Sequence, residues 1–206
     1  MERLFAGSLM QRCRTAFLDR VQDCRHALIP GEGPGKFLVE LLLRNERITA
    51  TVVEHSGGMI EQMRRRVVRG GIDPARVRFV QADALDWRPE NAVFDLVATH
   101  FFLDCFPEEQ LGRLIPRLAA ATTPNALWLV SDFRLPESGW RRWRAGIILR
   151  LLYLLFRVTT GLRASSLTPP DELLRESGFV LLERRLENLG FAHADLWRRS
   201  CPTLRR

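Results

Sequence analysis

The sequence predicts an α/β protein built on one mainly parallel sheet with helices on both faces. Three observations lead there. Short apolar or β-branched runs alternate with amphipathic stretches of helical length from residue 9 to about residue 133, the pattern of strand-helix-strand units that set parallel strands side by side. The first such strand runs directly into "ALIPGEGPGKF" (27–37), with three glycines at alternate positions. The last two strand-like runs are joined through "NLG" (188–190), a link that permits an antiparallel hairpin and excludes a parallel crossover.

The elements follow in order. "LMQRCRTAFLDRVQDC" (9–24) reads as an amphipathic helix, "HALIP" (26–30) as a short strand, and "KFLVELLLRN" (36–45) as a helix. "RITATVVE" (47–54) is a β-branched strand, and "GGMIEQMRRRVVRG" (57–70) is a helix stopped by Gly70 and Gly71. "VRFVQAD" (77–83) and "AVFDLVATHF" (92–101) are the third and fourth strands, followed by the helix "PEEQLGRLIPRLAAA" (107–121), which tolerates Pro116. "ALWLVSDF" (126–133) is a fifth strand introduced by a turn at Pro124 and Asn125. A helical insert at about 136–168 comes before the short helix "PPDELLRESG" (169–178), and "FVLLERRLEN" with "FAHADLWRRS" forms the terminal hairpin.

The 206 residues, 46% of them hydrophobic, suit a single domain over 1–206 that contains this insert. No signal-peptide pattern or membrane-length apolar run is evident, so a cytoplasmic protein is expected. Cys13, Cys24, Cys105 and Cys201 show no metal-ligand spacing with the histidines and read as reduced thiols, with no metal expected. Were Cys13 and Cys24 on one helix, they would lie about 16 Å apart along it, too far for a disulfide. The net charge of +7 sits in the last third, where residues 134–206 hold 14 arginines against 7 acidic residues.

The glycine turn asks what comes so close to the backbone that side chains are forbidden. In an open parallel sheet, ligands bind beyond the carboxyl ends of the strands, and such a turn admits ligand atoms to bare backbone. The spacing is G-x-G-x-G, different from the dinucleotide fingerprint, and no GK[ST] phosphate loop is present. Glu54 ends the second strand, where a carboxylate can accept hydrogen bonds from both hydroxyls of a ribose. Asp83 ends the third, where a carboxylate beside a free amide can read an adenine edge. Together they describe an adenosine pocket without a phosphate site.

These segments resemble those of the class I S-adenosylmethionine-dependent methyltransferases. "LIPGEGPGKF", "VVEHSGGMIEQMR", "VQADALDW" and "FDLVATHFFLDCF" are similar to successive motifs of that family, and the hairpin is similar to its antiparallel seventh strand. The resemblance implies a Rossmann-like seven-stranded fold, S-adenosylmethionine as cofactor and S-adenosylhomocysteine as product. It implies that Gly31, Glu32, Gly33 and Gly35 line the methionine and ribose, that Glu54 with His55 holds the ribose, and that Met59 packs on the adenine. Asp83 and the Ala84 amide would read the adenine edge, with Thr99 at the end of the fourth strand. Ser56 is better read as a helix N-cap. The chain departs from the family pattern in beginning almost at its first helix, which leaves closure over the cofactor to Phe5, Met10 or another element, and in placing Pro34 within the turn.

A sulfonium methyl is already activated, so transfer rests largely on positioning, and a base is needed only for a protonated acceptor. His100 is the best-placed candidate base because that strand end faces the transferred methyl in the family, and Asp104 is the second. Each also suits a structural hydrogen bond, and Cys105 reads as a buried thiol. The apolar "AGIILRLLYLLF" (145–156), flanked by tryptophans and arginines, suits a wall for a lipophilic or aromatic small-molecule acceptor. Residues 140–158 equally suit peripheral membrane contact or a homodimer interface. The arginine-rich third would suit RNA modification, but aliphatic rather than aromatic interleaving argues against nucleic acid. A noncatalytic adenosylmethionine-binding partner protein is the third class.

Overall fold

Each short apolar run becomes a strand whose alternate side chains feed two different cores. The computed structural model describes residues 2–89, 91–134 and 168–200. Its strands are β1 (His26–Pro30), β2 (Thr49–Glu54), β3 (Val77–Gln81), β4 (Phe94–His100), β5 (Thr122–Phe133), β6 (Phe179–Glu187) and β7 (Ala192–Arg199). They form one sheet in the order β3-β2-β1-β4-β5-β7-β6. β1 through β5 pair in parallel, and β7 runs antiparallel to both β5 and β6. The strand order reverses between β1 and β4, so a crevice opens at their carboxyl ends.

The helices are α1 (Glu2–Thr15), α2 (Lys36–Arg44), α3 (Gly57–Arg69), α4 (Glu108–Ala120) and α5 (Asp171–Glu176). Ile29, Ala98 and Leu129 point from the sheet into a core with Cys13, Leu38, Leu41 and Met63, which belongs to α1, α2 and α3. Their strand neighbours Leu28, Val97 and Trp128 point the other way, into a core with Leu114, Leu118 and Leu174 from α4 and α5. Period-two alternation thus assigns every strand residue to one face or the other.

The fold class agrees with the sequence, and the differences lie at element ends. The first helix ends at Thr15, nine residues before the expected Cys24. There the Thr15 hydroxyl donates to the Gln11 carbonyl, a local bond that competes with helix continuation. The following segment is held instead by buried Asn45, whose amide donates to the Val21, Gln22 and Cys24 carbonyls. Cys13 and Cys24 therefore do not share a helix; both are free and buried, with thiols pushed up by burial to about 11 and about 12. β5 starts at Thr122, not Ala126, because Pro124 and Asn125 form an irregularity inside the strand: the pairing jumps from Phe94 with Thr122 to Leu96 with Leu127, and Asn125 takes a φ of 63°. Cys201 and nearly all of the expected insert, including 140–158, lie outside the described residues.

Candidate functional site

The glycine turn joins β1 to α2, and Gly31, Gly33 and Gly35 all have left-handed φ values of 62°, 69° and 82°. Two of them also clear space for neighbours. A Cβ on Gly31 would meet the Phe102 ring at 2.1 Å, and one on Gly35 would meet Met63 Cγ at 2.8 Å. Nothing lies within 4 Å of a Cβ built on Gly33, so Gly33 is the glycine that faces open space. Glu32 turns inward: its Oε1 accepts from the Phe37 and Leu38 amides and satisfies the first turn of α2. Burial pushes this carboxyl up to about 7, against the pull of those amides and of Arg14. The Pro34 carbonyl accepts from Arg66 Nε, which ties the turn to α3.

The two acids expected to read an adenosine stand at the strand ends. Glu54 Oε2 accepts from the Gly33 amide at 3.3 Å, and its Oε1 from the Ser56 amide at 2.9 Å. Ser56 caps α3, its hydroxyl accepting from the Met59 amide. Met59 is 39% exposed, a large apolar side chain left at the rim. Glu54 and Gln81 are partners in the β2–β3 pairing, which brings Asp83, two residues further on, beside the same rim. Asp83 is exposed and accepts from the Leu85 amide, Ala84 is buried, and His55 is exposed. Gly33, Glu54, Met59 and Asp83 therefore share one edge of the crevice. Acid, bare backbone and apolar shelf suit an adenosine, and the residues fit S-adenosylmethionine.

The end of β4 divides between the two sheet faces. Thr99 is fully buried, and its hydroxyl accepts from Trp128 Nε1, so that side chain is engaged inside the protein. His100 points to the opposite face, toward α1 and α2. Its Nδ1 lies 3.0 Å from the Ser131 hydroxyl, and its ring stands edge-on to Phe37 at 4.3 Å. Burial, with Arg14 nearby, lowers its pKa to about 3, so the ring is neutral and a weak base. Phe101 then takes a φ of 54°. This turn lays the Phe102 ring over Gly31, while the Phe102 amide donates to Asp132 Oδ1 at 3.2 Å.

On the face away from His100, a cavity of about 390 Å³ is lined by Asp104, Asp132, Phe133, Pro169, Pro170, Arg184 and His193, among others. Asp132 and His193 are paired across β5 and β7, and Asp195 and Arg184 across β7 and β6. Arg184 grips Asp195 at 2.6 and 2.8 Å and Asp171 at 2.8 Å. These carboxylates hold its pKa above the usual arginine range. Asp195 is correspondingly held below the usual carboxylate range: burial would raise it, but the bonds from Arg184 and the nearby His193 outweigh that. Burial pushes Asp104 up to about 6, and burial with the Asp104 charge pushes Asp132 well up. Cys105 is pushed up by burial and by both aspartates, which keeps its thiol protonated.

Sequence reasoning picked out Asp104 but missed Asp132, His193 and Arg184. The signals were present: an acid inside the apolar "LWLVSDF", and a His-x-Asp on one face of "FAHADLW".

Residues 27–125 match the family profile described as a methyltransferase domain. Over 152 residues the chain is 28% identical to a carboxy-S-adenosyl-L-methionine synthase of Aeromonas hydrophila, a match covering 71% of this chain and 58% of that protein. The mitomycin 7-O-methyltransferase MmcR superposes with a TM-score of 0.74 at 20% identity, over 94% of this chain and 54% of that one. The N-methyltransferase NodS of Bradyrhizobium japonicum, solved with S-adenosylhomocysteine, superposes with a TM-score of 0.67 at 16% identity, over 92% and 87%. The chain spans little more than half the length of the synthase and of MmcR. The profile covers just under half of the chain, and the strand order with these superpositions gives the chain the fold shared by these methyltransferases.

Proposed function

We propose that the protein transfers the methyl group of S-adenosylmethionine to a small lipophilic or aromatic acceptor seated in the cavity beside Asp132. The observation that carries this reading is the position of Phe102. Its ring lies on the first glycine of the cofactor turn, and its amide bonds an acid of the cavity wall, so one residue separates the two compartments. The cofactor would supply an electrophilic methyl group when bound. Gly33, Glu54, Met59 and Asp83 would hold it by the ribose and adenine, and Phe133, Pro169 and Pro170 would offer apolar surface to the acceptor. In this reading Glu32 and Thr99 serve the scaffold through the bonds they already make.

The acceptor is tested by incubating the protein with methyl-labelled S-adenosylmethionine and separated lipid, small-molecule and RNA fractions of its host. Label in the small-molecule or lipid fraction supports the reading, label in RNA replaces it with nucleic-acid modification, and tight binding without transfer indicates a noncatalytic partner protein. The apolar segment 145–156 is proposed as the lipophilic wall or a membrane-resting surface. Leu151→Glu should then lower transfer to a lipid-like acceptor or binding to anionic vesicles.

The kinship with a carboxy-S-adenosyl-L-methionine synthase favours a second reading, in which adenosylmethionine itself is the substrate to be carboxylated. Such a reaction needs a carboxyl-bearing donor, and the acids at the cavity, Asp104, Asp132 and Asp171 with Asp195 behind Arg184, outnumber its arginines Arg134 and Arg184, which disfavours one. Mass spectrometry of the nucleoside product separates the two reactions.

A further inference from the structure

Asp132 is 2% exposed, its Oδ1 is engaged by the Phe102 amide, and its Oδ2 has no hydrogen-bond partner among the described residues. A buried carboxylate oxygen left without a donor is costly unless something supplies one. Asp132 is part of a cavity wall, so the donor can come from what enters the cavity. His193, its cross-strand partner, does not supply it: His193 Nδ1 lies 3.0 Å from Asp195 Oδ1, without the alignment of a hydrogen bond. Arg184 is likewise turned to Asp195 and Asp171. Asp104, Asp132 and Asp171 of the lining, with Asp195 bound to Arg184, stay in excess of the guanidinium groups Arg134 and Arg184 even when Asp104 and Asp132 share one proton.

We propose that the cavity takes a neutral acceptor presenting an O–H or N–H group, excludes carboxylate-bearing molecules, and uses Asp132, paired with Asp104, as the base that receives the acceptor's proton. This rests on the methyl-transfer reading and names the acceptor class and the base within it. In the step, a lone pair of the acceptor oxygen or nitrogen forms a bond to the methyl carbon as the carbon–sulfur bond breaks. The electron pair of that bond stays on sulfur, and the acceptor's proton passes to Asp132 Oδ2. The sulfonium charge and the charge of the aspartate pair disappear together, so no new charge is created inside a buried site.

Two buried carboxylates that share one cavity resist simultaneous ionisation, so the pair carries one negative charge and has room for one proton. The elevated titration of both aspartates agrees with this. His100, on the other face of the sheet beneath α1, is not in the lining.

The test uses the whole protein, saturated with S-adenosylhomocysteine for binding and supplied with methyl-labelled S-adenosylmethionine for turnover. The probes are p-cresol, p-toluidine and p-toluate, alike in shape and different in the polar group. Ligand-observed NMR should show both neutral donors binding and p-toluate weaker by about tenfold or more. Label should reach a donor probe, and Asp132→Asn should lower that transfer by roughly 10² to 10⁴ while S-adenosylhomocysteine affinity holds. The proposal is overturned if p-toluate binds as well as the donors, if neither donor binds or takes up label, or if Asp132→Asn transfers at the wild-type rate. Should that variant not fold, the wild-type ranking and Asp104→Asn decide. Absence of S-adenosylhomocysteine binding by the wild type overturns the methyl-transfer reading itself. Binding with the wrong probe ranking overturns only the acceptor class and base.

Discussion

The Phe102 ring rests on Gly31 so closely that a β-carbon there would stand 2.1 Å from Phe102 Cδ2. The bare backbone of this turn is thus required first by the protein's own aromatic ring, and only Gly33 is left facing open space. Gly31→Ala combines a left-handed residue with that overlap and should destabilise the fold by about 1–3 kcal/mol from backbone strain alone. Adding Phe102→Ala should recover the part due to overlap. Chemical denaturation of both single variants and the double variant measures it, and strict additivity would show that the ring is not responsible.

Glu54 spans the turn and α3, accepting from the Gly33 and Ser56 amides. If it also receives ribose hydroxyls, Glu54→Ala should weaken S-adenosylhomocysteine binding by about 1–3 kcal/mol. NAD and ATP should bind far more weakly than adenosylmethionine to the wild type, since no phosphate cradle accompanies the acids. Calorimetry reads both, and unchanged affinity in the variant would move the ribose contact elsewhere.

Buried acids give stability an unusual slope with pH. Glu32 titrates at about 7 against 4.5, and Asp104 at about 6 against 3.8. Each folded-state pKa is raised, so the folded protein binds these protons more tightly and their contribution is lost as pH rises through the folded values. The melting temperature should therefore fall between about pH 5 and pH 8. Glu32→Gln, which keeps an oxygen for the Phe37 and Leu38 amides, should flatten the slope. Asp195 has a depressed pKa and acts oppositely, its contribution disappearing only as pH drops below the ordinary carboxylate range. A melting temperature that climbs steadily from pH 5 to pH 8 would contradict this assignment.

His100 offers a separate check on where the proton goes. A neutral ring between Ser131 and Phe37, with its pKa lowered to about 3, cannot produce a rate inflection near 6.5. His100→Ala should cost stability through the cavity it leaves, without altering the shape of the pH–rate profile. Loss of an ascending limb in that variant would restore histidine as the base.

The sequence by itself determined the strand and helix alternation, the antiparallel end of the sheet and the glycine turn with Glu54 and Asp83 at the neighbouring strand ends. These are legible because they are local: period-two and period-3.6 patterns, a three-residue link and short motifs each depend on neighbours along the chain. The end of the first helix was not legible, because Asn45, more than twenty residues away, holds the segment that leaves it. The acid-lined cavity was not legible either. Asp104, Asp132, Arg184 and His193 come from four parts of the chain and meet only because β7 inserts antiparallel between β5 and β6. The β4–β5 pairing put His100 beside Ser131 on one face, and the β5–β7 pairing put Asp132 beside His193 on the other. One step along a strand reverses the side-chain direction, but only tertiary packing decided which face received the helices α1 and α2 and which received the cavity.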